Sequence, residues 1–318
     1  MNKLPLLLVV FVSAAAQSAP YQSDTWAEYS AHKTAVIGED SRQDPNAFPS
    51  SNDSQKYRAV GVLICRNPNL PPGKQFLSAG TATLVENSQT IMTVAHNLVD
   101  KSGTLLTKIE NCSFNIVSDG GEILQSVNLA RAKGVQNPSS ENIDGAATAQ
   151  NDWAVARLAT PITGVVPFRV ASPGEQLSVN AKIKICSFSH DVANPRIKRC
   201  LSGTYKNSGM DNVFFKNPNV LLHDIDTNGN SSGAPIFIEV NGTPIIYATH
   251  KGGVCQPGHK EYNVNYCYNL GIFPELEFYK HLDTIVEETG GSIYGPAKVQ
   301  KTKFITPVPA NPNREVST

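Results

Sequence analysis

The sequence predicts a mainly β protein with one C-terminal helix, and three observations carry that expectation. Short apolar runs of strand length recur between turn formers without a helical period. The 23 Gly and 21 Pro are scattered without a repeat, which favours many strands joined by turns over a helical bundle. Near the end of the chain one segment does show helical spacing. A length of 318 residues allows one large domain or two smaller ones, each able to bury a core.

Taken in order, residues 60–65, 90–95 and 153–158 are apolar, rich in β-branched side chains and of strand length. Residues 235–240 form a further strand, Asn241-Gly242 is a hairpin turn signal, and 245–248 is the returning strand. The helix opens at Pro274, places Leu276, Tyr279, Leu282 and Val286 on one face, and stops at Gly290 and Gly291. Residues 291–318, with Pro296, Pro307, Pro309 and Pro312 and little apolar periodicity, read as a flexible tail.

The first residues read as an address. Lys3 precedes a seven-residue apolar run at 6–12, and small residues at 13–18 offer cleavage after Ala16 or Ser18. The run is too short to span a bilayer, so residues 1–18 are expected to be a signal peptide for a secreted or periplasmic protein without a membrane anchor. Export permits disulfides, and the number of Cys is even. Connectivity cannot be read from sequence alone; the sequential set, Cys65–Cys112, Cys186–Cys200 and Cys255–Cys267, is the one favoured here.

Charge excludes some partners. The 27 Lys+Arg balance 27 Asp+Glu, which leaves no global field to gather nucleic acid or anionic lipid. The cysteines do not form metal-type CxxC pairs, and no metal or cofactor is expected.

Three segments can carry chemistry. Thr93-Val94-Ala95-His96 ends a β-branched strand with an imidazole; Asp152 stands at the start of an apolar strand, where an ionised carboxylate needs a partner; and residues 226–235, DTNGNSSGAP, present a hydroxyl on a Gly-rich turn just before a strand. Each alone is more often structural. Together they supply what acyl transfer requires, namely a hydroxyl, an imidazole to take its proton and a carboxylate to orient the imidazolium.

The order His, Asp, Ser, carried by TVAH, DWAVARL and SGAP, resembles the chymotrypsin-like serine proteases over residues 34–290. The resemblance implies an all-β fold of two antiparallel six-stranded β-barrels with a C-terminal α-helix, the first barrel within 34–165 and the second with the helix within 166–290. It implies a polypeptide substrate, a monomer, Ser232 as nucleophile, His96 as general base and acid, Asp152 as orienting carboxylate, and the N–H groups of Asn230 and Ser232 as the oxyanion hole. Asn230 and Ala234 stand where the family has small residues around the nucleophile; Asn tolerates the positive φ such a turn needs. Ser231 is the competing nucleophile, but it puts Gly233, Ala234 and Pro235 out of register with the family pattern. Ser231 also replaces the acid that many members use to bind a freed N-terminus.

Residues 36–42, VIGEDSR, are similar to the mature start of bacterial glutamyl endopeptidases, which implies a zymogen with a pro-segment at 19–33 cut near Lys33. By the same resemblance His250 and Thr227 would contact an acidic P1 side chain, with Lys251, Gly252 and Gly253 flanking the substrate as an added strand. Asp226 favours the alternative of a trypsin-like pocket for Arg or Lys. Two further readings of the loop compete. GNSSG matches the GxSxG elbow of esterases, although that fold needs its Asp and His after the Ser. Asp224, Asp226 and Asn228 imitate half of an EF-hand, but Pro235 stands where the bidentate Glu belongs. A non-catalytic binding protein is the third alternative.

Overall fold

The computed structural model describes residues 51–100, 102–134, 151–175, 180–189, 197–208, 219–255 and 267–290, together with Val36, residues 40–43, Leu177 and Ser178; for Gln43, 51–53, 207–208 and 254–255 it describes the backbone only. The expected signal peptide at 1–18, the pro-segment at 19–33 and the tail at 291–318 lie outside the described residues.

Six strands close the first barrel: β1 (Val60–Arg66), β2 (Phe76–Leu84), β3 (Thr90–Thr93), β4 (Cys112–Val117), β5 (Ile123–Lys133) and β6 (Ala154–Leu158), in the spatial order β1-β2-β3-β6-β5-β4. Closure removes the free edges that a sheet of this kind would otherwise expose. β1 is buried along its length up to Arg66, because β2 and β4 pair on either side of it.

The second barrel contains β8 (Lys182–Ser187), β9 (Arg199–Ser208), β10 (Val220–His223), β11 (Pro235–Val240), β12 (Thr243–Cys255) and β13 (Cys267–Ile272), closed by the pairing of β11 with β12. A two-residue strand, β7 (Arg169–Val170), adds to β12 in parallel. The Asn241-Gly242 turn behaves as its sequence predicts, since both residues take positive φ (51° and 78°) and join β11 to β12 as a hairpin. Two antiparallel six-stranded barrels and a terminal helix are therefore the architecture.

Register explains the disulfides. Cys65 lies opposite Cys112 and Cys186 opposite Cys200 in paired strands, and both bridges are formed. Cys255 lies opposite Cys267 in the β12–β13 ladder and Cys267 is disulfide-bonded; the side chain of Cys255 is outside the described residues.

The short α1 (Ser51–Lys56) and the residues after it join the barrels. Tyr57 packs edge-on against Phe237, with ring centroids 5.4 Å apart, and Phe168 packs on the same Phe237 ring at 5.2 Å. Glu239 accepts from Lys56, Lys184 and Tyr57, with both lysines at 2.8 Å. Partial burial would raise the Glu239 carboxyl, but those hydrogen bonds outweigh it and bring it down to about 2.

The terminal helix, α2 (Leu276–Glu287), corrects one expectation. Tyr279, Leu282 and Val286 are buried with Phe278 and Ile285, whereas Leu276 is 50% exposed because it begins the helix beyond the packed face. Although it follows the second barrel in the chain, α2 packs on β6 of the first, where Phe278 meets Trp153 edge-on at 5.4 Å. Each fully buried large side chain on this face contributes roughly 1.5–3 kcal/mol.

Candidate functional site

His96 does not sit at the end of a strand. β3 stops at Thr93, and a 3-10 turn over Ala95–Asn97 carries the imidazole, so that the ring leaves the barrel wall. Its backbone N–H donates to Asp152 Oδ1 at 3.0 Å and its Nδ1 to Oδ2 at 2.7 Å. Because an ionised carboxylate can only accept, Nδ1 of His96 carries a proton and donates it to Asp152. Asp152 is 0% exposed at the head of β6. Burial alone would raise its carboxyl, yet the charge and hydrogen bonds of His96 and the charge of Lys251 hold it below the usual carboxylate range.

The turn over 228–234 is fastened to the residues around His96. The Ser232 carbonyl accepts from Thr81 N at 2.8 Å and from Asn97 Nδ2 at 2.9 Å, and Thr81 Oγ1 donates to the Asn230 carbonyl at 2.7 Å. Asn97 Nδ2 also reaches Thr93 Oγ1 at 2.9 Å, locking its amide. Thus the residue after His96 grips the residue proposed as nucleophile. Asn97 and Thr81 were not singled out from sequence; Asn97 offered the one clue, a short polar residue directly after His96.

Backbone geometry of the turn depends on two positive φ values, 71° at Asn230 and 90° at Gly233. A Cβ at Gly233 would stand 2.0 Å from the Thr81 carbonyl and 2.2 Å from Thr93 Oγ1, so glycine is required twice over. Among the described residues, neither the Asn230 N–H nor the Ser232 N–H has an acceptor. The Asn230 Nδ2 amide is buried and likewise without a partner there.

The two adjacent serines differ. Ser231 is 0% exposed, accepts from Asn228 N at 3.2 Å and donates within a buried group of Ser187, Ser189 and the Phe188 carbonyl. Ser232 is only half-buried and donates to the Lys251 carbonyl at 3.0 Å.

Of the residues expected around P1, Asp226, Thr227 and His250 are all buried. Thr227 Oγ1 donates to Asn269 Oδ1 at 3.0 Å. His250, 1% exposed, has its Nδ1 3.3 Å from Nε2 of His223, whose own Nδ1 accepts the Ile225 N–H at 3.2 Å. That chain of donors places the His223 proton on Nε2 and leaves the His250 proton on Nε2 as well. Burial, aided by the charge of His96, lowers His250 to about 3, with the Leu270 carbonyl beside the ring opposing, so it is neutral. Asp226 Oδ2 accepts from both the N–H (2.9 Å) and the Oγ (2.6 Å) of Ser41. Gly252 and Gly253 continue β12 opposite Leu270 and Asn269 of β13.

No protein-family model and no curated protein matches the chain. Solved structures do. A scabies mite inactivated protease paralogue is 10% identical with a TM-score of 0.53, over 74% of this chain and 97% of that one. The protease Anisep from Arthrobacter nicotinovorans is 15% identical with a TM-score of 0.51, over 73% and 96%. A Glu endopeptidase is 15% identical with a TM-score of 0.51, over 80% and 96%. The fold is accordingly that of chymotrypsin-like serine proteases, and because one neighbour is an inactivated protease, activity has to be argued from the site.

Proposed function

We propose that the protein is an exported serine endopeptidase in which Ser232, His96 and Asp152 act together. The observation that carries the reading is the double attachment of His96 to buried Asp152, with the Ser232 turn fastened to Asn97 beside it. Ser232 Oγ attacks the scissile carbonyl and gives its proton to His96 Nε2; Asp152 stabilises the imidazolium. The N–H groups of Asn230 and Ser232 receive the oxyanion, His96 returns the proton to the leaving amine, and water deprotonated by His96 hydrolyses the acyl-enzyme. The burial of Ser231 supports Ser232 as the nucleophile. Export by the N-terminal segment agrees with the disulfides, and no described helix is long and apolar enough to cross a membrane.

An acidic P1 preference is the finer part of the proposal. A neutral His250 whose Nε2–H turns from the Leu270 carbonyl to the substrate is a donor suited to a carboxylate, and the contact of Asp226 with Ser41 speaks against the trypsin-like alternative, since that carboxylate already accepts two hydrogen bonds. Labelling with a fluorophosphonate tests the nucleophile: the wild type labels, Ser232→Ala does not, and labelling retained at Ser231 overturns the assignment. Mapping the cuts in a peptide library tests the rest. Cleavage after Glu and Asp is expected, and a preference for Arg or Lys refutes the pocket reading.

A further inference from the structure

Lys251 touches two members of the proposed triad by different routes. Its carbonyl accepts the Ser232 hydroxyl at 3.0 Å, and its ammonium stands 3.9 Å from Asp152 Oδ2 with the side chain 17% exposed. At 3.9 Å the ammonium acts through its charge more than through a hydrogen bond. Its backbone is anchored, because the neighbouring His250 carbonyl accepts from Gly233 N at 2.8 Å and the His250 N–H donates to the Ala234 carbonyl at 2.8 Å. β12 therefore brings the Lys251 ammonium near the same Asp152 oxygen that His96 Nδ1 reaches.

We propose that Lys251 is a positioning residue that sets the protonation balance of the His96–Asp152 pair, so that the site keeps its general base to lower pH than the pair alone would allow. This rests on the triad reading. The ammonium disfavours a second positive charge on His96 and draws on the same Asp152 oxygen that stabilises the imidazolium. The groups facing the pair are Lys251 and His250 from β12, with His223 of β10 behind His250. Burial, and secondarily the repulsion a protonated His250 would exert, bring His223 well below its ordinary value, and burial keeps His250 neutral.

The test is the pH dependence of kcat/KM on a peptide substrate, repeated as the rate of fluorophosphonate labelling, for wild type, Lys251→Met, Lys251→Arg and Ser232→Ala. Lys251→Met is expected to move the acid limb upward by roughly half to one pH unit. On the acidic side of the wild-type limb, this corresponds to about a three- to tenfold loss. Lys251→Arg, which retains the charge, is expected to keep the limb in place. An unmoved limb in Lys251→Met, or an equal shift in Met and Arg, overturns the proposal, since packing alone would then explain the change. Lys251→Gln serves the same comparison if the Met variant does not fold. Failure of the triad reading shows separately, as equal labelling of wild type and Ser232→Ala.

Discussion

Ser41 and Asp226 are joined twice, by the backbone N–H at 2.9 Å and the hydroxyl at 2.6 Å, both ending on the same carboxylate oxygen. The contact links the N-terminal segment to the loop that leads to Ser232. Ser41→Ala removes one charged hydrogen bond and is expected to cost about 1.5–3 kcal/mol, read as a lower denaturant midpoint. It is also expected to raise cleavage after Arg and Lys relative to Glu, measured as the ratio of kcat/KM values on matched peptides.

Asp152→Asn leaves the shape of the His96 contact but replaces an acceptor-only carboxylate by an amide, which no longer selects the tautomer with Nε2 free. A fall of about four orders of magnitude in kcat is expected, with little change in thermal midpoint. Equal activity in the two proteins would exclude Asp152 from the reaction.

Gly233→Ala is expected to be severe. A positive φ of 90° combined with a backbone oxygen 2.0 Å from the added Cβ leaves no relaxed conformation. We expect a loss of about 1–3 kcal/mol in a urea titration, accompanied by loss of fluorophosphonate labelling.

Acid destabilisation is expected in two stages. His250 is lowered by burial to about 3 in the folded chain, so between about pH 6.5 and 3 the unfolded chain binds a proton that the folded chain refuses, and stability falls as pH drops through that window. Glu239, brought to about 2 against the partial burial that opposes its hydrogen bonds, contributes stability that is complete above about pH 4.5 and lost as pH falls toward 2. Denaturant midpoints from pH 8 to about pH 2 should show both stages, and Glu239→Gln should flatten only the second.

The disulfides should differ in weight. Cys65–Cys112 spans 47 residues and Cys186–Cys200 spans 14. Loop entropy predicts losses of about 4 and about 3 kcal/mol respectively when each pair is replaced by serine, measured by urea unfolding.

Much of this architecture was legible in the residues. Asn241-Gly242 announced its hairpin, Tyr279, Leu282 and Val286 announced a buried helical face, and the order of His96, Asp152 and Ser232 marked out a candidate site. These are local signals, or the order of a few residues along the chain, which short-range sterics and periodicity carry by themselves. The turn that lifts His96 off β3 was not legible, because apolar residues continue past Thr93 while the hydrogen-bond ladder does not.

What the sequence determined alone was the strand-rich class, the hairpin, the helix and the residue types available for chemistry. Tertiary structure decided that Asp226 meets Ser41, that His223 orients His250, and that the charge of Lys251 faces Asp152. Each of these pairs joins residues on separate elements, and which side chains come within a few ångströms depends on strand register and barrel closure, which no local pattern encodes.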